Sequence, residues 1–287
     1  MTSIAALAER VSPGRRRLGV AAVLLFLALV PATASLAQEK TSPPPAKAPR
    51  PTVDQLVQYF EAIVFESEFN KLVPPSKIIK KWTGPLRIGI RAFADTADPT
   101  AGEGARRLTQ IKVEKPYLTI IQRHLNTLAR ETGLVTEDAK KTGERPNFMI
   151  NFVPRNQMAN ANLVNADPAL LKRMAAEGGC YFVVWADDTT GSINRAVIVV
   201  NAERLLIRIN HCLLEEMTQS LGLPNDSNTF SPSIFHDDSR QTDLSRTDLI
   251  ILKALYDPRI KAGMAKAEAL VMVKEVIAEL VAKMPPE

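Results

Sequence analysis

Three polar side chains stand close together in a stretch of the chain that otherwise has the pattern of an apolar helix. Glu215, Glu216 and Gln219 fall within five positions, between Leu214 and Leu221. Residues four apart share one face of a helix, so Glu215 and Gln219 are predicted to be neighbours, with Glu216 beside them. Because a polar group buried alone is costly, these carboxylate and amide groups require either a partner or a function. The stretch is therefore the first candidate for a binding or catalytic site.

The same stretch resembles the zinc-binding helix H-E-x-x-H-x-x-G of metallopeptidases, with both histidines replaced. In this resemblance Glu215 and Gln219 take the positions of the two histidine ligands. Glu216 takes the position of the general base, and Gly222 that of the glycine at which the chain turns back toward the metal. The resemblance thus implies a helix that descends from a metal site and has lost its imidazole ligands.

The chain from about Asn147 to Met264 also resembles a secreted bacterial family of unknown function, DUF2927, which bears the motif E-E-x-x-Q-x-x-G-L-x-N-D. The last two positions of that motif are Asn225 and Asp226, in the region where a third ligand is often supplied. The helix pattern from Asp248 resembles the helix that packs behind such sites. The implied fold is a zincin-like α+β domain, in which an irregular loop and C-terminal helices follow the motif helix.

Two arrangements of this degenerate site are open. Zinc prefers nitrogen and sulfur ligands and is not expected to bind tightly to oxygen donors alone. An oxygen-rich ligand set suits a harder divalent ion such as calcium, and the candidates are Glu215, Gln219, Asn225 and Asp226. Alternatively the site holds no cofactor, and the Gln219 amide donates to the Glu215 carboxylate across one helical turn. Without a metal, Glu216 has no polarised water to deprotonate.

Two histidines are secondary candidates. His211 lies four residues before Glu215 on the same helical face, and it is predicted to hydrogen-bond Glu215 as a structural residue. The alternative is that His211 and Glu215 hold a metal one turn early. His236 lies in a polar loop, from which it is an alternative replacement ligand. The neighbouring pair Asp237 and Asp238 is predicted to be solvated.

The N-terminus has the pattern of an export signal. Arg15–Arg17 precede an apolar run of 13 residues, Leu18–Val30, which is shorter than the about 20 residues that a membrane span needs. Small residues follow, so residues 1–37 are predicted to be a cleaved signal peptide, with an uncleaved anchor as the alternative. Residues 38–51 are a proline-rich tether, and residues 52–287 form the zincin-like domain. We therefore expect the protein in the periplasm or secreted from a Gram-negative-type bacterium, with membrane contact only if the signal segment is retained.

The predicted export bears on the oxidation state of the two cysteines. Cys180 and Cys212 would meet an oxidising compartment, in which a pair within one domain usually forms a disulfide. Such a bridge would stabilise the fold by roughly 3–4 kcal/mol on the chain-entropy model. Two buried free thiols are the alternative.

The patterns around these residues predict a small mixed sheet covered by helices. Strands are predicted at residues 86–90, 148–153, 180–185 and 196–200, the last two joined by a tight turn. Helices are predicted from the capping box of Thr52 and Gln55 to before Pro74, and from Pro116 to before Gly133. Four further helices are predicted at residues 167–174, 203–221, 247–256 and 261–282.

Composition and motifs exclude several classes of function. The chain has 36 Lys and Arg against 31 Asp and Glu, and four of those arginines lie in the first 37 residues. It therefore lacks the basic field of a nucleic-acid binder. It also contains no G-x-S-x-G elbow and no glycine-rich phosphate loop. We expect an exported, non-catalytic domain whose candidate partner is a peptide or an envelope protein. The alternative is a metal-dependent hydrolase, a peptidase with Glu216 as general base.

Overall fold

The computed structural model describes residues 50–67, 73–98, 100–102, 104–176 and 178–284. They belong to one compact unit, Pro49–Glu287. The predicted signal peptide and most of the proline-rich tether lie outside the described residues. A search of the described helices finds none that is both long and apolar enough to span a bilayer.

The helices begin and end largely where local signals place them. Thr52 and Gln55 form the predicted capping box, with Thr52 Oγ1 accepting the Gln55 amide at 3.2 Å, and Gly133 closes the second helix in the left-handed conformation. The described residues form eight α-helices: α1 (Val53–Phe65), α2 (Lys115–Thr132), α3 (Ala139–Thr142), α4 (Ala161–Val164), α5 (Pro168–Met174), α6 (Leu206–Gln219), α7 (Arg246–Tyr256) and α8 (Lys266–Lys283).

Seven strands form one mixed sheet. They are β1 (Lys81–Trp82), β2 (Leu86–Ala97), β3 (Arg106–Ile111), β4 (Thr136–Asp138), β5 (Phe148–Val153), β6 (Cys180–Ala186) and β7 (Ser192–Asn201). Strand β5 lies between β2 and β7 and is parallel to both. Strands β1 and β4 pair in parallel with β7 and β2, whereas β3 and β6 pair antiparallel with β2 and β7. The predicted α+β class is confirmed, and the sheet gains the three strands β1, β3 and β4 over the prediction.

The sheet is covered on both faces, because successive strand residues point to opposite sides. In β7, Ile198 and Val200 belong to the main core with α1, α2, α6, α7 and α8, whereas Val197 and Val199 pack into a smaller core with Leu171 of α5. Helix α6 packs against α2 and against strands β6 and β7. The motif helix is therefore held by the sheet on one side and by other helices on another.

Three helices are shorter than predicted. Helix α1 ends at Phe65 and not just before Pro74, because Glu66 takes an extended backbone conformation. Tertiary contacts explain the other two differences. Helix α6 starts at Leu206 rather than near Glu203, because the Asn201 side chain accepts the Glu203 amide at 2.9 Å and holds the preceding residues in a turn. Helix α8 starts at Lys266 because the residues before it pair with the segment that leads into β1, where the Ile79 amide donates to the Met264 carbonyl at 2.9 Å.

Candidate functional site

A cavity of about 490 Å³ lies along α6, between that helix, strand β6 and the loop that follows the helix. Among the predicted site residues, Glu215, Glu216, Gln219, Asp226 and His211 line it. The complete lining is Met174, Gly179, Cys180, Tyr181, Phe182, Arg204, Arg208, His211, Cys212, Glu215, Glu216, Gln219, Asp226, Asp237 and Ser239. The structure thus brings most of the predicted residues together, and we call this cavity the motif pocket.

Helical periodicity explains which side chains of α6 face the motif pocket. Ile209, Leu213 and Met217 are fully buried in the main core, and they lie four residues apart on one face of the helix. Glu215 and Gln219 are one turn apart on the opposite, pocket-lining face. The apolar face of α6 therefore packs into the core, and its polar face lines the pocket.

The C-terminal end of α6 is anchored by contacts that fix the direction of the chain. Gly222 has φ +110°, and a Cβ there would overlap the carbonyl oxygen of Lys80, so both the conformation and the close approach require glycine. Trp82 Nε1 donates to the Ser220 carbonyl at 3.0 Å, and Tyr256 Oη donates to the Leu221 carbonyl at 2.8 Å. The chain therefore reverses at a defined point and returns over the last turn of the helix.

This reversal gives Gln219 a partner different from the predicted one. Gln219 Nε2 donates to Asp226 Oδ1 at 2.6 Å, and not to Glu215 across one turn. The prediction of a Gln219–Glu215 bond is therefore wrong in its partner. The physical reason is that the loop brings a carboxylate to Gln219, which is only 3% exposed, from outside the helix. A buried amide donor bonded to a carboxylate is strongly satisfied.

His211 has a polar neighbour at each ring nitrogen, and the hydrogen bond is made by Nδ1. Nε2 lies 3.4 Å from Glu215 Oε2, and Nδ1 lies 2.7 Å from the Gln241 carbonyl oxygen. Because a carbonyl can only accept, Nδ1 carries a proton. Burial lowers the pKa of His211; the bond to Gln241 opposes this shift, and the guanidinium groups of Arg208, Arg204 and Arg240 reinforce it. His211 is thus a packed side chain that ties α6 to the following loop.

Two predicted candidates lie outside the pocket lining. Asn225 Nδ2 donates to the Ala62 carbonyl at 3.0 Å, and the Asn225 backbone amide donates to Ile63, so this residue joins the loop to the end of α1. His236 Nδ1 accepts the Asp238 amide at 3.2 Å within its own loop. The neighbouring Asp237, predicted to be solvated, is exposed but lines the pocket. The conformation of the loop decides which of these residues line the pocket, and the sequence does not specify that conformation.

Cys180 and Cys212 form the predicted disulfide, with a Cα–Cα distance of 6.0 Å. It links β6 to α6 and forms part of the pocket wall. A Glu216 carboxylate oxygen and the two sulfurs lie within 4.8 Å of one another, and they are the only such group of three His, Cys, Asp or Glu ligand atoms in the described part of the chain. Bridged cysteines offer no thiolate, so this group is not a zinc site.

The remaining donors fit zinc poorly as well. Gln219 is bonded to Asp226, and Asn225 is turned away toward α1. Glu215 adjoins His211, whose Nδ1 is committed to a backbone carbonyl. In the described residues, the imidazole of His211 is not joined by two further His, Cys, Asp or Glu ligand atoms within 4.8 Å, so the residues do not fit a tightly bound zinc ion.

The sequence reasoning missed two cationic residues of the pocket. Arg204 and Arg208 line it, and the Arg204 guanidinium lies 3.9 Å from the Cys212 sulfur. Arg208 was detectable, because stepping back from Glu215 by helical periods leads to His211 and Arg208 on the same face. Arg204 precedes the helix, in a turn whose path the sequence pattern does not give. The pocket thus has a cationic end near the start of α6 and a group of carboxylates near its end.

A larger cavity of about 740 Å³ lies between α2 and strands β2 to β4. Its walls combine aliphatic residues, including Ile90, Ile121 and Leu125, with polar ones, among them the exposed Lys140 and Lys141. None of the predicted site residues lines it. Since convergent polar groups mark a functional site better than volume does, we place the candidate site in the motif pocket.

Comparisons with known proteins give one match. The family model described as "Protein of unknown function (DUF2927)" matches residues 53–275. No curated protein and no solved structure matches the chain. The family match covers the whole sheet, the motif helix and most of the last helix, and the chain belongs to the DUF2927 family.

Proposed function

We propose that this protein is an exported binding domain, zincin-like in its motif helix, whose ancestral metal site has become a polar, metal-free pocket. The bond from Gln219 to Asp226 carries this proposal. Gln219 occupies the position of the second metal ligand in the motif, and its amide is already paired with a carboxylate. A hydrogen-bonded pair at that position satisfies the buried polar groups without a metal ion.

The charges of the motif pocket support a peptide or a segment of an envelope protein as the ligand. Arg204 and Arg208 provide positive charge, and Glu215, Glu216 and Asp226 provide carboxylates in the same pocket. A peptide segment carries groups of both signs and backbone hydrogen-bonding groups. A cavity of about 490 Å³ has room for a few residues of such a segment.

Export is supported by two features of the chain. The apolar run that follows Arg15–Arg17 has the length of a signal segment. The disulfide between Cys180 and Cys212 is of a kind that persists in the periplasm or outside the cell. Together they favour a periplasmic or secreted location.

The second candidate is a metal-dependent hydrolase, a peptidase with Glu216 as general base. The observation that favours it is the position of Glu216, which is 6% exposed and yet lines the pocket beside Gln219. The same donor set counts against it, because it lacks the nitrogen and sulfur ligands of a catalytic zinc site.

Zinc titration tests the proposed loss of the metal site. We expect the protein with its disulfide intact to bind zinc weakly, and the double variant Glu215→His, Gln219→His to bind it more tightly by orders of magnitude. The two introduced imidazoles would lie one turn apart on the pocket face, the spacing that zinc helices use. The control is Glu215→Ala, Gln219→Ala, which removes the same groups without adding ligands. Tight stoichiometric zinc in the unsubstituted protein would contradict the proposal.

A mixed peptide library separates the two candidate functions. The binding domain is expected to retain a subset of peptides unchanged, and Arg204→Gln, Arg208→Gln to weaken that retention. The hydrolase would instead cleave peptides when a divalent ion is added, and Glu216→Gln would abolish the cleavage. The exposed Arg107→Gln is the matched control for the loss of positive charge, since Arg107 lies on β3 and does not line the pocket.

A further inference from the structure

Three consecutive large aliphatic side chains project into solvent at the start of α6. Leu205, Leu206 and Ile207 are 75%, 45% and 59% exposed. The other large apolar side chains that are comparably exposed in the described residues are not consecutive in sequence: Val73, Ile111, Leu118, Val135 and Val271. Contiguous exposed apolar surface, unlike scattered single residues, marks an interaction surface. We call residues Arg204–Arg208 the RLLIR patch.

Neither the helix nor the core explains why these residues are apolar. Leu205 occupies the N-cap position and makes no side-chain capping bond, where Ser, Asp or Asn would stabilise the helix by about 1 kcal/mol. The core face of α6 is supplied by Ile209 and by residues further along the helix. The three side chains therefore contribute to neither the cap nor the packing of the isolated chain.

The charges around the three aliphatic residues favour a lipid surface as the occupant. Arg204 and Arg208 flank them on both sides, and Glu203 is the one acidic residue directly adjacent in sequence. Aliphatic side chains bordered by arginines are typical of segments that insert into the interface of an anionic bilayer. Hot spots of protein interfaces are enriched in Trp, Tyr and Arg, and the patch has arginines but no aromatic residue that could act as an anchor.

We propose that the RLLIR patch docks the domain on a phospholipid bilayer that carries anionic headgroups. Leu205, Leu206 and Ile207 would enter the boundary between headgroups and acyl chains, while Arg204, which is exposed at the edge of the motif pocket, would face the phosphates. Arg204 and Arg208 also line the motif pocket, so docking would hold the mouth of that pocket at the membrane surface. This membrane contact is independent of the signal segment and of the proposed loss of metal.

Sedimentation with lipid vesicles tests the proposal. Residues 49–287 are used, because they form one compact unit with its own core and exclude the apolar run Leu18–Val30, which would bind lipid by itself. We expect binding to phosphatidylglycerol vesicles that exceeds binding to phosphatidylcholine vesicles and weakens with added salt. The variant Leu205→Ser, Leu206→Ser, Ile207→Ser should bind at least about a hundredfold more weakly, since three inserted side chains are lost.

The matched control removes equally exposed apolar side chains elsewhere. Val135→Ser, Val271→Ser replaces residues that are 61% and 68% exposed and lie outside the patch, so it should bind as tightly as the unsubstituted domain. Arg204→Gln, Arg208→Gln should weaken binding by about tenfold and reduce its salt dependence. Because all the substituted aliphatic residues are exposed, unchanged thermal unfolding shows that folding is retained.

Two outcomes would overturn the proposal. One is equal vesicle binding by the unsubstituted domain and the triple serine variant. The other is an absence of vesicle binding together with a patch-dependent association with a protein, which would assign the RLLIR patch to a protein partner.

Discussion

Two buried carboxylates in the C-terminal half of the chain have opposite surroundings. Asp248 on α7 is fully buried, and its oxygens accept hydrogen bonds from Ser233 Oγ at 2.6 Å, from the Ile234 amide at 3.2 Å and from the Ser245 amide at 2.8 Å. Glu216 on α6 is 6% exposed and lines the motif pocket. The first carboxylate accepts these bonds in the core, and the second lines a pocket that a ligand can enter.

The comparison separates a structural carboxylate from a candidate functional one. Burial raises the pKa of Asp248, while the bonds from Ser233, Ser245 and Ile234 oppose that shift. The same network reaches α1 through the bond of 2.8 Å between Tyr59 Oη and Ser233 Oγ. Asp248 therefore joins the irregular loop to two helices. Low exposure does not distinguish the two residues, but a position in the lining of a pocket does.

The largest expected effect tests the enclosed network. Asp248→Ala should lower the free energy of unfolding by about 4 kcal/mol, because three buried donors lose their acceptor. Urea denaturation measures the change. Asp238→Ala, at an exposed carboxylate of the preceding loop, is the control and should change stability by less than about 0.5 kcal/mol. Equal effects of the two substitutions would contradict the structural role of Asp248.

The covalent wall of the motif pocket gives the next largest effect. Cys180→Ser, Cys212→Ser should lower the free energy of unfolding by about 3.5 kcal/mol, since the bridge spans 32 positions and restricts the unfolded chain. Reduction of the unsubstituted protein should give the same loss. A double variant as stable as the oxidised protein would show that the non-covalent contacts of β6 with α6 suffice to hold the pocket wall.

Removal of the Gln219 amide should have a smaller effect than loss of the Asp248 network. Gln219→Ala should lower the free energy of unfolding by about 1.5 kcal/mol, the contribution of one hydrogen bond to a charged group. Gln122→Ala, which removes an exposed bond to Asn126 on α2, is the matched control and should change little. A loss as large as that expected for Asp248→Ala would make the pocket a second structural network and would remove the contrast drawn above.

The smallest effect is a pH dependence that originates at His211. Its pKa in the folded protein lies below the ordinary value of about 6.5, mainly because of burial, so the unfolded state binds protons more readily. Stability should therefore decrease as the pH falls below about 6.5. Thermal unfolding is measured at about pH 7 and at about pH 5, on either side of that value. The difference between the unsubstituted protein and His211→Gln isolates the contribution of His211. An identical decrease in the variant would assign the pH dependence to other groups.

Much of the fold could be predicted from local patterns. The alternating residues of β2, the apolar run of β5 and the hairpin of β6 and β7 were all detectable, as was the glycine that ends α2. Strands β1 and β4 were not, because strands of two and three residues carry too little periodicity. Strand β3 was missed because its residues are mostly exposed and show no clear alternation of apolar side chains.

The candidate site divides in the same way. Helical spacing predicts that Glu215 and Gln219 share one face, so these two pocket-lining residues could be identified from the sequence. The choice of Asp226 over Glu215 as the partner of Gln219 depended on where the chain returns after Gly222. That return depends on contacts with Lys80, Trp82 and Tyr256, which are far away in sequence.

The sequence by itself determined the secondary structure of the long elements, the polar face of α6 and the pairing of the two cysteines, because helix and strand periods and cysteine number are local or countable properties. Only the tertiary structure decided that Asn225 and His236 lie outside the pocket, that Arg204 and Asp237 line it, and that Gln219 is bonded to Asp226. The physical reason is that each of these outcomes depends on the path of a loop. That path is set by packing against distant residues, and no local pattern encodes it.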